Sequence, residues 1–230
     1  MPNSEVSVSN FAYGGQMSVG ARIHSATMPT GEVRSEGKFG GWSHMVNLVT
    51  IRGETYMVDV GFGSGGPTVP LSLKEGGVTM NVPPEENVRL RHDNIPENES
   101  STPKLWLLER RLSENKPWTS VYCFEDGVCF LPQDFEVINH FASSHRTSRL
   151  TYEVIASKHV LDASGIRLIG DVVCYQREVH RRTNGVKEIL ATLTTELERV
   201  NALREHLGIT LCESQREGIV GMSTEIRQQR

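Results

Sequence analysis

A histidine and a carboxylate that can touch are the minimum equipment for taking a proton from a nucleophile, and this sequence offers such a pair in His44 and Asp59. A carboxylate on one imidazole nitrogen fixes the tautomer, makes the other nitrogen more basic and stabilises the imidazolium that forms. Immediately after Asp59 and Val60 comes Gly61-Phe62-Gly63-Ser64-Gly65-Gly66-Pro67, four glycines in six residues, where backbone can approach a ligand closely. The spacing alone leaves a second reading open. His44 is equally well a strand-end histidine and Asp59 a turn aspartate, since eight histidines allow many chance pairings.

Positioning the pair requires two strands. Residues 44–52, with Met45-Val46-Asn47-Leu48-Val49-Thr50-Ile51, and residues 54–60, with Thr55-Tyr56-Met57-Val58, are rich in β-branched residues. The single Gly53 between them predicts a tight antiparallel hairpin, with His44 and Asp59 at its open end. Around it, residues 17–23 read as a strand and 28–41 as a Pro- and Gly-punctuated loop. Residues 74–103 read as a loop-rich insertion with one short strand. Strands are expected at 104–111, 118–124, 151–156, 165–175 and 186–193, and a short helix at 135–144. A closing helix is expected over 196–207: Thr195 and Glu198 form a capping box, Leu197, Val200, Leu203 and Leu207 a stripe, and Gly208 the end.

The expected organisation is an irregular arm at 1–16 and a β-barrel-like domain at 17–155 carrying the His/Asp pair. A smaller sheet with a C-terminal helix follows at 156–212, and a frayed tail at 213–230. The fold class is α+β with a mainly antiparallel sheet. Hydrophobic residues at 37% and charged residues at 23% are those of an ordinary globular protein. A net charge of -4 offers no basic footprint for nucleic acid or an anionic membrane, so a small-molecule partner is expected. No apolar run is long enough to span a bilayer and no signal peptide is visible, which points to the cytoplasm. The four cysteines, Cys123, Cys129, Cys174 and Cys212, form neither a disulfide framework nor a C-x-x-C metal site, and no metal is expected.

Three blocks of sequence add to this reading. The first is Gly40-Gly41-Trp42-Ser43-His44-Met45-Val46-Asn47-Leu48-Val49, then Tyr56-Met57-Val58-Asp59-Val60-Gly61-Phe62-Gly63, then Gly66-Pro67-Thr68-Val69-Pro70-Leu71. The second is Leu131-Pro132-Gln133-Asp134-Phe135-Glu136-Val137-Ile138-Asn139, with Ser143-Ser144-His145-Arg146-Thr147-Ser148 after it, and the third is 195–208. Over 17–212 the chain resembles the arylamine N-acetyltransferase family in its fungal form. The resemblance implies a cysteine-protease-like fold and an acyl group moved from acetyl-CoA or another acyl-CoA, malonyl-CoA included, to an aromatic amine or hydrazine. Neither substrate is a tightly bound cofactor.

By matching motifs, His44 is the implied base and Asp59 its orienter. Ser43, His44 and Phe62 border the acceptor, and Gly40, Gly41, Phe141 and Thr147 fall where the family contacts CoA. The family's nucleophile sits in an R-G-G-x-C motif upstream of the Gly20-Ala21-Arg22 strand, beyond a helical bundle. No cysteine precedes Cys123; Gly14-Gly15-Gln16-Met17 echoes the glycines without a thiol. The resemblance therefore implies a truncated member, lacking the nucleophile and the bundle, inactive in covalent transfer as written and with apolar surface left uncovered. A degenerate CoA- or amine-binding homologue, one associating with a full-length relative, a fragment unable to fold alone and a cysteine-type hydrolase are the competing readings.

Overall fold

A computed structural model of the chain describes residues 16–25, 37–99 and 104–227. The expected arm, Gln16 excepted, and most of the 28–41 loop lie outside the described residues. Eight antiparallel strands make the larger sheet: β1 (Gln16–His24), β2 (Phe39–Ile51), β3 (Glu54–Val58), β4 (Leu71–Ser72), β5 (Val78–Val82), β6 (Glu86–Asp93), β7 (Leu105–Arg111) and β8 (Thr119–Phe124). Their order is β4-β3-β2-β1-β8-β7-β6-β5, and β4 comes against β6, so the sheet curls into a nearly closed barrel.

Alternation with period two decides which side chains fill it. Val19 and Ala21, Val46 and Leu48, Val88 and Leu90, Trp106 and Leu108, and Tyr122 and Phe124 all point inward, with Met57 and Leu71 beside them. On the opposite face Phe39, Ile95, Leu105, Leu107 and Cys123 form a second apolar cluster with Trp42.

The β2–β3 hairpin turns at Arg52 and Gly53, both left-handed with φ of 52° and 79°, and Ile51 pairs with Glu54 across it. Two residues with positive φ give a turn whose twist matches that of the strands it joins. β2 begins at Phe39, earlier than the strand expected from 44, because β1 goes on pairing with it as far as His24↔Phe39. Residues 74–103 hold two strands instead of one. β6 buries Glu86, Val88 and Leu90 between Asn87, Arg89 and Arg91, an alternation that polar composition hides until β7 is there to pair with.

Helix α1 (Pro132–Ser144) follows the barrel. It buries none of its residues, and Val137 and Phe141 are exposed. A 3₁₀ turn (Arg149–Thr151) stands where a strand at 151–156 is expected, and the second sheet starts at β9 (Ile155–Leu161). β10 (Leu168–Tyr175), β11 (Glu178–Thr183) and β12 (Val186–Thr192) complete it in the order β12-β11-β10-β9. β11, the sequence Glu-Val-His-Arg-Arg-Thr, carries too much charge to announce itself as a strand.

Helix α2 (Glu196–Ala202) continues into a π turn (Leu203–Leu207) and ends at Gly208 with φ 77°. The Thr195 hydroxyl accepts from the Glu198 N–H at 3.2 Å, and the Glu198 carboxylate accepts from the Thr195 N–H at 3.2 Å, closing the capping box. Leu203 and Leu207 pack on Val172, Cys174 and Val179, whereas Leu197 is 67% exposed and Ala202 with Arg199 takes the buried positions. The π turn wraps more residues into each turn, which rotates the stripe away from Leu197. Where a frayed tail is expected, α3 (Glu213–Glu217) forms and Ile226 is buried in this second core, its N–H bonded to the Glu196 carboxylate at 2.6 Å.

Candidate active site

His44 lies two residues before Val46 and Asp59 two after Met57, so both side chains fall on the inward face at one mouth of the barrel. Two irregularities in β2 aim the histidine. Ala21 pairs with His44 but Arg22 with Trp42, leaving Ser43 as an extra, unpaired residue in a β-bulge. A second bulge spans Gly40 and Gly41, and the Arg22 guanidinium donates to the Gly40 carbonyl at 3.1 Å.

The imidazole Nε2 meets the Asp59 Oδ2 at 2.8 Å. The other carboxylate oxygen accepts from the backbone N–H of Gly61 at 2.9 Å and of Phe62 at 3.1 Å, so the first residues of the glycine loop clamp the aspartate. Its side chain is 1% exposed against 15% for His44. Burial alone would raise the Asp59 pKa; the hydrogen bond and charge of His44, together with the Gly61 N–H, outweigh it and hold the carboxyl below its ordinary value. The aspartate is a fixed anion held on Nε2, which leaves Nδ1 as the ring nitrogen not engaged by it.

Two rings flank the pair. Phe62 stands edge-on to His44 at 5.3 Å, and Tyr122 lies 5.6 Å from His44 and 5.2 Å from Phe62. Tyr122 is fully buried, donates its hydroxyl toward the Met57 sulfur at 3.4 Å, and is kept protonated first by burial and then by the Asp59 charge. Sequence reasoning missed Tyr122. Its signal was the alternation in Val121-Tyr122-Cys123-Phe124, which places the phenol inward but cannot say what it meets.

The other expected site residues are spread further. Ser43 adjoins the pair at the bulge, and Gly40 and Gly41 are exposed. Phe141 and Thr147 meet at the end of α1 through His145, whose ring stacks on Phe141 at 4.7 Å and whose Nδ1 lies 2.8 Å from the Thr147 hydroxyl. Among the described residues no hydrogen bond or ring contact joins these two to Gly40 or Gly41.

The cysteines fall elsewhere. Cys123 pairs with Arg22 on β1 and points to the face away from His44, with its thiol pushed up to about 12 by burial. Cys129 precedes Phe130, which lies over Gly20 and against Trp42 on that same far face. Cys174 is buried in the second core and Cys212 caps α3. Among the described residues no group of three or more His, Cys, Asp or Glu could hold a metal ion, and no helix is long and apolar enough to cross a membrane.

A cavity of about 530 Å³ opens at the other mouth, by the Gly53 turn, lined in part by Leu48, Trp106 and Asp126. It does not include His44 or Asp59. Its Glu54 and Lys74 are paired with each other, so it offers space without a base.

In sequence and in fold the chain is similar to known proteins. A family model described as N-acetyltransferase matches residues 24–216. The N-malonyltransferase FDB2 of Fusarium pseudograminearum (strain CS3096) is 32% identical over 210 residues, covering 87% of this chain and 61% of its own length. FDB2 of Gibberella moniliformis is 31% identical over 209 residues, with 87% and 60% covered. The chain thus spans about six tenths of the length of these curated relatives. In fold it is similar to the arylamine N-acetyltransferase of Mycobacterium abscessus, with a TM-score of 0.70 at 20% identity over 89% of this chain and 64% of that one. The Mycobacterium marinum enzyme in complex with CoA gives 0.64 at 22%, over 91% and 66%. A family model spanning most of the sequence and a shared antiparallel fold lead to one conclusion: the chain belongs to the arylamine N-acetyltransferase family.

Proposed function

We propose that this chain supplies the general base and the substrate-bordering walls of a CoA-dependent N-acyl transfer, with His44 as base and Asp59 as its orienter. The observation that carries the reading is the 2.8 Å bond from Nε2 to a buried, backbone-clamped carboxylate. Nδ1 of His44 takes the proton of a thiol, and the thiolate attacks the thioester carbonyl of acyl-CoA. The carbon–sulfur bond to CoA breaks, and the departing CoA thiolate takes the proton back from the imidazolium. The nitrogen of an aromatic amine or hydrazine then attacks the enzyme thioester and gives its proton to Nδ1, and the enzyme sulfur leaves.

Ser43 and Phe62 border the acceptor, while Gly40, Gly41, Phe141 and Thr147 face CoA. Acetyl-CoA and, from the names of the FDB2 relatives, malonyl-CoA are the donors to test first. In this reading none of the four cysteines is the nucleophile: Cys123 and Cys174 are buried in other clusters, and the exposed Cys129 and Cys212 have the Phe130 carbonyl and the Ser214 hydroxyl as their contacts.

Intact-mass measurement after incubation with acyl-CoA, paired with calorimetry, tests the reading. Heat of binding with no added acyl mass supports it. Acylation of Cys129 or Cys212 would overturn the assignment of the nucleophile, and absence of binding to any CoA ester would remove the function altogether.

A further inference from the structure

The glycine loop is held at both ends. At its entrance Asp59 takes the backbone N–H groups of Gly61 and Phe62. At its exit stands Asn81 of β5. This strand pairs with β6 through Met80↔Asn87 and Val82↔Glu86, so Asn81 is the extra residue of a bulge, released from the ladder and 2% exposed. Its side-chain oxygen accepts from the Thr68 N–H at 2.7 Å, while its amide nitrogen donates to the Gly66 carbonyl at 3.0 Å and to the Glu86 carboxylate at 2.8 Å. The Thr68 hydroxyl donates in turn to the Asn81 backbone carbonyl at 3.0 Å. A primary amide can accept and donate twice from one short side chain, and here all of those bonds are made out of contact with water.

Between the two anchors lies the Phe62 ring. A Cβ on Gly66 would stand 2.9 Å from the Phe62 Cβ, and one on Gly65 3.3 Å from the Phe62 Cε1 and 3.3 Å from Arg110 Nη1. The ring therefore rests directly on loop backbone, and the buried Arg110 backs that backbone from behind. The Gly66 N–H closes the loop onto the Gly63 carbonyl at 3.0 Å. The same ring stands edge-on to His44 at 5.3 Å and 5.2 Å from Tyr122. Any shift of the Gly66 backbone is thus passed on to the aromatic wall beside the base.

We infer that Asn81 is a positioning residue for acyl transfer: by holding the Gly66 carbonyl and Thr68 it sets where Phe62 stands against His44. Its part in transfer rests on the acyl-CoA reading above. Because Glu86 also takes Arg182 of β11 at 2.8 Å, the same amide ties the loop to the joint between barrel and second sheet.

Nuclear magnetic resonance of the whole chain tests the assignment. The His44 ring protons, identified by their loss in His44→Gln, report where the Phe62 ring stands, and Phe62→Leu gives their shifts with that ring gone. In Asn81→Ala they should move towards the Phe62→Leu values. Leu203→Ala, which loosens only the second core, should leave them in place. Asn81→Asp, which keeps the acceptor for Thr68 and loses the donor to Gly66, should repeat the movement and serves should the alanine variant not fold. In the native chain the Asn81 side-chain amide should exchange its protons about tenfold or more slowly than that of the exposed Asn201. His44 shifts unmoved in a folded Asn81 variant, equal movement in Leu203→Ala, or an Asn81 amide exchanging as fast as that of Asn201 would overturn the assignment and leave the acyl-CoA reading standing. Calorimetry showing no binding of acetyl-CoA or malonyl-CoA to the native chain would take both down.

Discussion

At the scale of single residues, the site turns on a carboxylate with both oxygens occupied. One holds the imidazole and the other two backbone N–H groups, so Asp59 can neither rotate away nor gather a proton at neutral pH. In a polypeptide that carries the thiol, Asp59→Asn should lower kcat/KM for acyl transfer by roughly two to four orders of magnitude, with KM for the amine little changed. Steady-state kinetics with an arylamine acceptor measures this. The carboxyl pKa is depressed in the folded state, so the stability it confers is complete above the ordinary aspartate value. It is lost as pH falls through the lower folded value. The gap in urea midpoint between native chain and Asp59→Asn should therefore be level from neutral pH to about pH 5 and close below about pH 4.

At the scale of elements, the hairpin and the closing helix are specified by a few positions. Gly53 adopts φ 79°, where a Cβ is strained, so Gly53→Ala should cost about 1 kcal/mol although nothing stands near it. Thr195→Ala should cost about 1 kcal/mol, by removing the acceptor for the Glu198 N–H. Both follow from urea denaturation at neutral pH. The bulge at Ser43 is the element-scale feature closest to the chemistry, since it ends one register of β1 with β2 and begins another beside the base. Helix α1 is the converse case. Its apolar positions, Phe135, Ile138 and Phe141, follow helical spacing, yet none is buried against the described residues.

At the scale of the whole molecule, charge joins the barrel to the second sheet. Arg182 on β11 reaches Glu86 on β6 at 2.8 Å while holding Asp171 of its own sheet at 2.9 Å, and both carboxylates are buried. Glu86→Gln leaves Arg182 and Arg110 with one anion fewer in a dry setting, and should cost about 3 kcal/mol. Arg227→Gln, which breaks a surface pair with Glu225, should leave the urea midpoint nearly unchanged. Chemical denaturation of the two variants side by side measures the difference. The same contact lays the second sheet over the mouth that holds His44. Gly63 of the glycine loop also lies close to Ser157 of β9 there.

Much of this was legible in the residues themselves, because alternation and turn chemistry are local. Met45 to Ile51, Gly53 and Thr55 to Val58 determined a hairpin, Thr195 with Glu198 a helix start, and the glycine-rich blocks the family. Other features were decided only by tertiary structure. β6 and β11 are strands because neighbours pair with them, against their charged composition. Ile226 is ordered by a carboxylate thirty positions upstream. Tyr122 joins the site because curling the sheet brings β8 round to the mouth shared by β2 and β3. Local patterns fix which way a side chain points; only the register of distant strands fixes what it meets.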